Sequence, residues 1–61
     1  MSNQVKKEKL INGLKQQKKL LNENADLMAD ICPEFGQHIN FYGAADITQS
    51  WINAVNDKVL K

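Results

Sequence analysis

The chain has 61 residues, a formal net charge of +1 and a single cysteine, so it forms at most one small domain with no internal disulfide. No apolar run approaches the ~20 residues of a membrane span, and "MSNQVKKEKL" leads into nothing like a secretory signal, so a reduced, cytosolic setting is expected. Cys32 and His38 alone cannot build a four-ligand metal site, which leaves association with other subunits as the expected source of stability.

The net charge conceals an asymmetry. Residues 1–19 carry six lysines against Glu8, a net of +5, and residues 20–61 carry six acids against Lys58 and Lys61, a net of −4. A basic end on a near-neutral chain suggests a localised anion site or docking to an acidic neighbour. There is no arginine, so the usual bidentate grip on phosphate or guanine is missing and a duplex nucleic-acid reader is not expected.

Taken in chain order, the first element is a helix over about residues 4–31. Steps of four and three pick out Leu10, Leu14, Gln17, Leu21, Asn24, Met28 and Ile31, a coiled-coil-like seam widened by Ile11, Leu20, Ala25 and Leu27. Gln17 and Asn24 are polar on that seam, where they would fix register and subunit number. Gly13 in a helix interior costs roughly 1 kcal/mol relative to alanine, so a kink or fraying is expected there.

A turn follows over about residues 32–37. "DICPEFGQ" brings together the only cysteine, the only proline and Gly36. Pro33 biases Cys32 away from helical geometry, and Gly36 frees the backbone to reverse. The second helix runs over about 38–60, with Phe41, Ala45, Thr48, Ile52, Val55 and Val59 as its seam, flanked by Ala44, Trp51 and Leu60. The expected fold is thus all-α: a two-helix hairpin whose wide apolar faces require copies of itself or a partner, giving a homo-oligomeric helical bundle.

No catalytic constellation emerges. Nucleophile motifs, a Walker-type loop and a dinucleotide fingerprint are all missing, and Asp26 and Asp30 read as solvated charges, so an enzyme is not expected and no cofactor is implied.

The turn and what flanks it carry a resemblance. "ADLMADICPE" (Ala25 to Glu34), with eighteen residues between Cys32 and the start of "WINA" (Trp51 to Ala54), resembles the phage cyclic-oligonucleotide sponges that inhibit CBASS immunity, the second anti-CBASS protein type. Ala25, Leu27, Cys32, Pro33, Glu34, Trp51, Asn53 and Ala54 match that pattern without a gap, over about residues 20–61. The resemblance implies small helical subunits in a compact homohexamer. These would bind cyclic di- or trinucleotides between subunits, without cleaving them, in the host bacterial cytoplasm. Where the family carries Ser/Thr-Arg-Glu after the turn, this chain reads Phe35, Gly36, Gln37. A trinucleotide site would therefore need rebuilding around Gln37 and His38. With no aromatic before Phe35, base stacking would fall to Phe35, Phe41, Tyr42 or Trp51.

The candidate ligand-binding residues are therefore Lys15, Lys18 and Lys19 for phosphate charge, with Gln37, His38 and Tyr42 beside them. Each has a plainer reading. The lysines form a solvated basic face pairing with Glu23, Tyr42 packs at a subunit contact, His38 starts a helix, and Trp51 and Cys32 are core or interface. Two other functions compete with the sponge: a phage inhibitor that docks on a host protein, and a small helical nucleic-acid-binding regulator.

Overall fold

The computed structural model describes residues 2–58 and consists of two helices, α1 (Asn3–Ile31) and α2 (Gln37–Asp57), joined by a single 3-10 turn at Pro33–Phe35. Ser2 caps α1 by accepting a hydrogen bond from the Val5 amide at 3.2 Å, which satisfies one of the free amides of the first turn. Helical structure continues through Gly13, so the glycine does not fray α1.

The hairpin turn follows from the proline. The Cys32 amide still donates to the Met28 carbonyl at 2.8 Å, but Cys32 itself has φ −140° and ψ 58°, outside the helical region as a residue before proline should be. The Phe35 and Gly36 amides then donate to the Cys32 and Pro33 carbonyls, closing the 3-10 turn. Gly36 adopts φ 68°, the left-handed conformation that glycine reaches without a Cβ clash, and α2 starts at the next residue. The second helix ends at Asp57, short of the expected residue 60, because Lys58 is extended at ψ 122°. Val59 and Leu60 lie outside the described residues.

The hairpin is antiparallel, 48 Å long, 17 Å wide and 10 Å thick between Cα extremes. Hydrogen bonds from Lys18 to Gln49 and from Tyr42 to Asp26 fix the register, so Ala25 lies level with Phe41 and Leu21 with Ala45. Small residues opposite large ones let the two backbones approach. The seam of α2 is the expected one, with Ala45, Thr48 and Ile52 buried; the Thr48 hydroxyl donates to the Ala44 carbonyl at 2.8 Å and so is not left unsatisfied.

The seam of α1 is displaced from the expected one. Leu14, Leu21 and Met28 do lie along the contact, but the alternate positions are Ile11, Lys18 and Ala25, each one residue beyond the expected Leu10, Gln17 and Asn24. Ile11 and Ala25 are buried, whereas Leu10, Gln17, Asn24 and Ile31 are exposed. The cause is the width of the apolar face on α1, which exceeds what one neighbouring helix can cover. The pair settles on the strip with the small Ala25 at its centre, and Lys18 lays its stem along the contact while its ammonium reaches out to Gln49. Gln17 and Asn24 therefore do not specify the intrachain seam.

One further contact ties the open end. The Lys7 ammonium donates to the carbonyls of Asn56 at 3.0 Å and Lys58 at 2.9 Å, placing a cation on the unsatisfied carbonyls at the C-terminus of α2.

Candidate ligand-binding face

With 3.6 residues per turn, each helix shows two flanks to either side of the seam. On one flank α1 presents Lys15, Lys19, Glu23, Asp26 and Asp30, and α2 presents Tyr42, Asp46, Gln49 and Asn53, all on the same side of the hairpin. The cross-helix hydrogen bonds run along this flank. The Lys18 ammonium donates to Gln49 Oε1 at 2.7 Å, and Gln49 Nε2 donates in turn to Asn53 Oδ1 at 2.9 Å. Lys19 stands 3.9 Å from Glu23 one turn along, an exposed pair worth little in stability. Lys15 makes no hydrogen bond or ion pair among the described residues.

The six sequence-predicted residues divide into three groups. Lys18 is bridged to Gln49 and through it to Asn53 at mid-length, and Lys15 and Lys19 stand one turn or less away on the same side of α1. His38 and Tyr42 come together at the turn end, their rings edge-to-face at 6.5 Å between centroids. The level of Tyr42 is that of Asp26, seven residues beyond Lys19, or about 10 Å along the helix axis. Gln37 joins neither group; it starts α2 on the opposite flank, where its side-chain oxygen accepts from Asn40 Nδ2 at 2.9 Å.

The two groups differ in charge. Lys15 and Lys19 are exposed and Lys18 is half-buried against Gln49, whereas the Tyr42 hydroxyl donates to the Asp26 carboxylate, with Asp30 nearby. That hydrogen bond raises the Tyr42 pKa above its ordinary value; partial desolvation and the negative charges of Asp26 and Asp30 push the same way. His38 is half-buried, and its Nδ1 is enclosed without a hydrogen-bond partner among the described residues. Tyr42 and His38 thus border an acidic stretch, and the positive charge of the flank lies on the lysine group.

Sequence reasoning missed Gln49 and Asn53 as members of this face. Each directly follows a seam residue, Thr48 or Ile52, so their side of α2 could have been read from the seam once the antiparallel register was known. Trp51 was expected to be core or interface; it is 50% exposed, on the flank opposite the lysines. Cys32 is half-buried with a free thiol beside the turn. Among the described residues no group of three or more His, Cys, Asp or Glu side chains could hold a metal ion, and no helix is long and apolar enough to cross a membrane.

Comparison with family models, with curated proteins and with solved structures finds no match to this chain.

Proposed function

We propose that this protein is a self-associating helical binding module that captures cyclic oligonucleotide second messengers without cleaving them, as a phage countermeasure to CBASS-type signalling in the host cytoplasm. The observation that carries the reading is the hydrogen-bonded run Lys18–Gln49–Asn53, with Lys15 and Lys19 on the same side of α1. A cyclic dinucleotide offers two phosphodiester charges and flat bases with donor and acceptor edges. Lysine supplies compact, mobile cations for the first, and carboxamides supply paired donors and acceptors for the second. The spacing of Ala25, Leu27, Cys32, Pro33, Glu34, Trp51, Asn53 and Ala54 adds the family resemblance, and Asn53 belongs to both arguments. The absence of any nucleophile motif from the sequence agrees with capture without cleavage.

Isothermal calorimetry against a panel of cyclic di- and trinucleotides tests this. The expected result is tight, reversible binding of at least one, recovered intact after the protein is denatured. Lys19→Ala should weaken it by about a hundredfold where a symmetric site uses the residue twice, at ~1.5–3 kcal/mol for each charge-assisted bond. Absence of binding across the panel replaces this reading with direct docking on a host protein.

A further inference from the structure

The flank opposite the lysines has the reverse chemistry. On it α1 carries Leu10, Gly13, Gln17, Leu20, Asn24, Leu27 and Ile31, spaced by threes and fours, and α2 carries Ala44, Ile47, Trp51 and Ala54 in the same rhythm. Every leucine and isoleucine among them is at least half exposed, with Ile31 at 77% and Leu20 at 50%. A shallow groove of about 310 Å³ runs along α1 between Gly13 and Asn24, with Leu20 and Leu21 in its wall. Both mid-helix glycines border this flank, and a Cβ at either Gly13 or Gly43 would meet nothing within 4 Å. A helix-interior glycine lowers helix stability by about 0.5–1 kcal/mol relative to alanine, and the lone hairpin offers no packing reason for either.

We infer that two copies of the chain stack through this flank, antiparallel, about a two-fold axis crossing α1 beside Leu20 and α2 beside Ile47. The inference deepens the self-association proposed above and is independent of any ligand. Three observations carry it. The first is a symmetry of the pattern: reversed about the Leu20–Leu21 bond, α1 sets Leu10 against Ile31 of the second copy and Gln17 against its Asn24, and brings Leu27 within one residue of its Gly13 notch. Reversed about Ile47, α2 sets Trp51 against Gly43 and Ala44 of the second copy. The register fixed by the Lys18–Gln49 and Tyr42–Asp26 bonds puts Leu20 within about a residue of the level of Ile47, so one axis serves both helices. Large residues meet small ones, and the two carboxamides that would otherwise be buried unsatisfied meet each other.

The second observation is charge. The axis across the helices lays the +5 segment of residues 1–19 along the acidic half of the second copy's α1. The other two-fold stacking, with the axis along the helices, would collect both basic ends at one end of the assembly and is disfavoured by repulsion. The third is extent: the exposed apolar stripe runs from Leu10 to Ile31 on α1 and from Ala44 to Ala54 on α2, so the two copies would meet along both helices. Stacked so, the lysine flanks of both copies remain outside and open to solvent.

The test uses the full chain with Cys32→Ser as background. A residue beside a two-fold axis meets its own copy, so Ile47→Cys should oxidise to a covalent dimer, while Asn12→Cys on the lysine side should not. Gln17→Cys and Asn24→Cys should each remain largely uncoupled alone and form a heterodimer when mixed. The double change Leu20→Glu and Ile47→Glu should reduce the mass of the assembly to that of smaller species, with helical circular dichroism showing whether the hairpin persists. An oligomer in which Ile47→Cys stays reduced while Asn12→Cys couples would overturn this face and leave self-association standing. A single-chain mass for the unmodified protein at micromolar concentration would overturn both, whatever calorimetry reports for ligands.

Discussion

The two flanks of this hairpin are built from the same two helices and differ by about half a turn of side-chain direction, yet they have opposite properties. On the lysine flank, charges and carboxamides bridge α1 to α2 through Lys18–Gln49 and Tyr42–Asp26. On the apolar flank, Leu10, Leu20, Leu27 and Trp51 are each at least half exposed. Between them runs a narrow seam whose buried members are Ile11, Ala25, Ala45, Thr48 and Ile52, three of them small. Two helices can bury one stripe each. The second stripe, which both helices carry on the same side, is the surface that the proposed pairing would cover.

Neighbouring residues offer the sharpest way to break that comparison. Ile52 is buried at 3% exposure and Trp51, beside it, is half exposed. Ile52→Ala should destabilise by about 2–5 kcal/mol at any protein concentration, enough to unfold so small a chain. Trp51→Ala should lower the melting temperature only where the protein is concentrated enough to assemble, and a denaturation series across protein concentration separates the two.

The next effect concerns the turn. Gly36→Ala forces a side chain into the left-handed region and should cost about 1–2 kcal/mol in chemical denaturation, with no effect on either flank. Gly13→Ala and Gly43→Ala should then distinguish hairpin from assembly by sign. In dilute protein each should raise helical stability by about 0.5–1 kcal/mol, since nothing obstructs the new methyl, and in concentrated protein the gain should shrink or reverse as the notch fills.

The smallest effect belongs to Tyr42 on the lysine flank. Its pKa is raised in the folded chain, so the protonated phenol contributes stability that is complete below its ordinary pKa and is lost as pH rises through the higher folded value. Ultraviolet titration should show phenolate forming later in the folded chain than in urea, and Tyr42→Phe should remove the associated fall in stability on the alkaline side.

Much of this architecture was readable from the residues. Pro33 and Gly36 announced the turn, and the threes and fours of α2 gave its seam, because that helix carries one well-defined stripe of small and branched residues. The first helix misled by having too many apolar positions. Leu10 and Ile11 sit side by side, as do Leu20 and Leu21, and periodicity alone cannot say which of two adjoining stripes turns inward. That choice depends on Ala25 finding a large neighbour across the seam, a fact of register between distant segments. The lysine cluster was legible for the same local reason as the turn. Its carboxamide neighbours Gln49 and Asn53 were not, since they reach it only through the hairpin, and the separation of Tyr42 from the lysines follows from the level at which α2 crosses Asp26.

Native mass spectrometry of the full chain, with and without a panel of cyclic di- and trinucleotides, tests the account most directly. A two-faced hairpin that pairs through one flank and captures ligand on the other should appear as an even-numbered homo-oligomer, a hexamer by the family resemblance, carrying whole numbers of unaltered ligand. A folded single chain with no adduct from any member of the panel would contradict it.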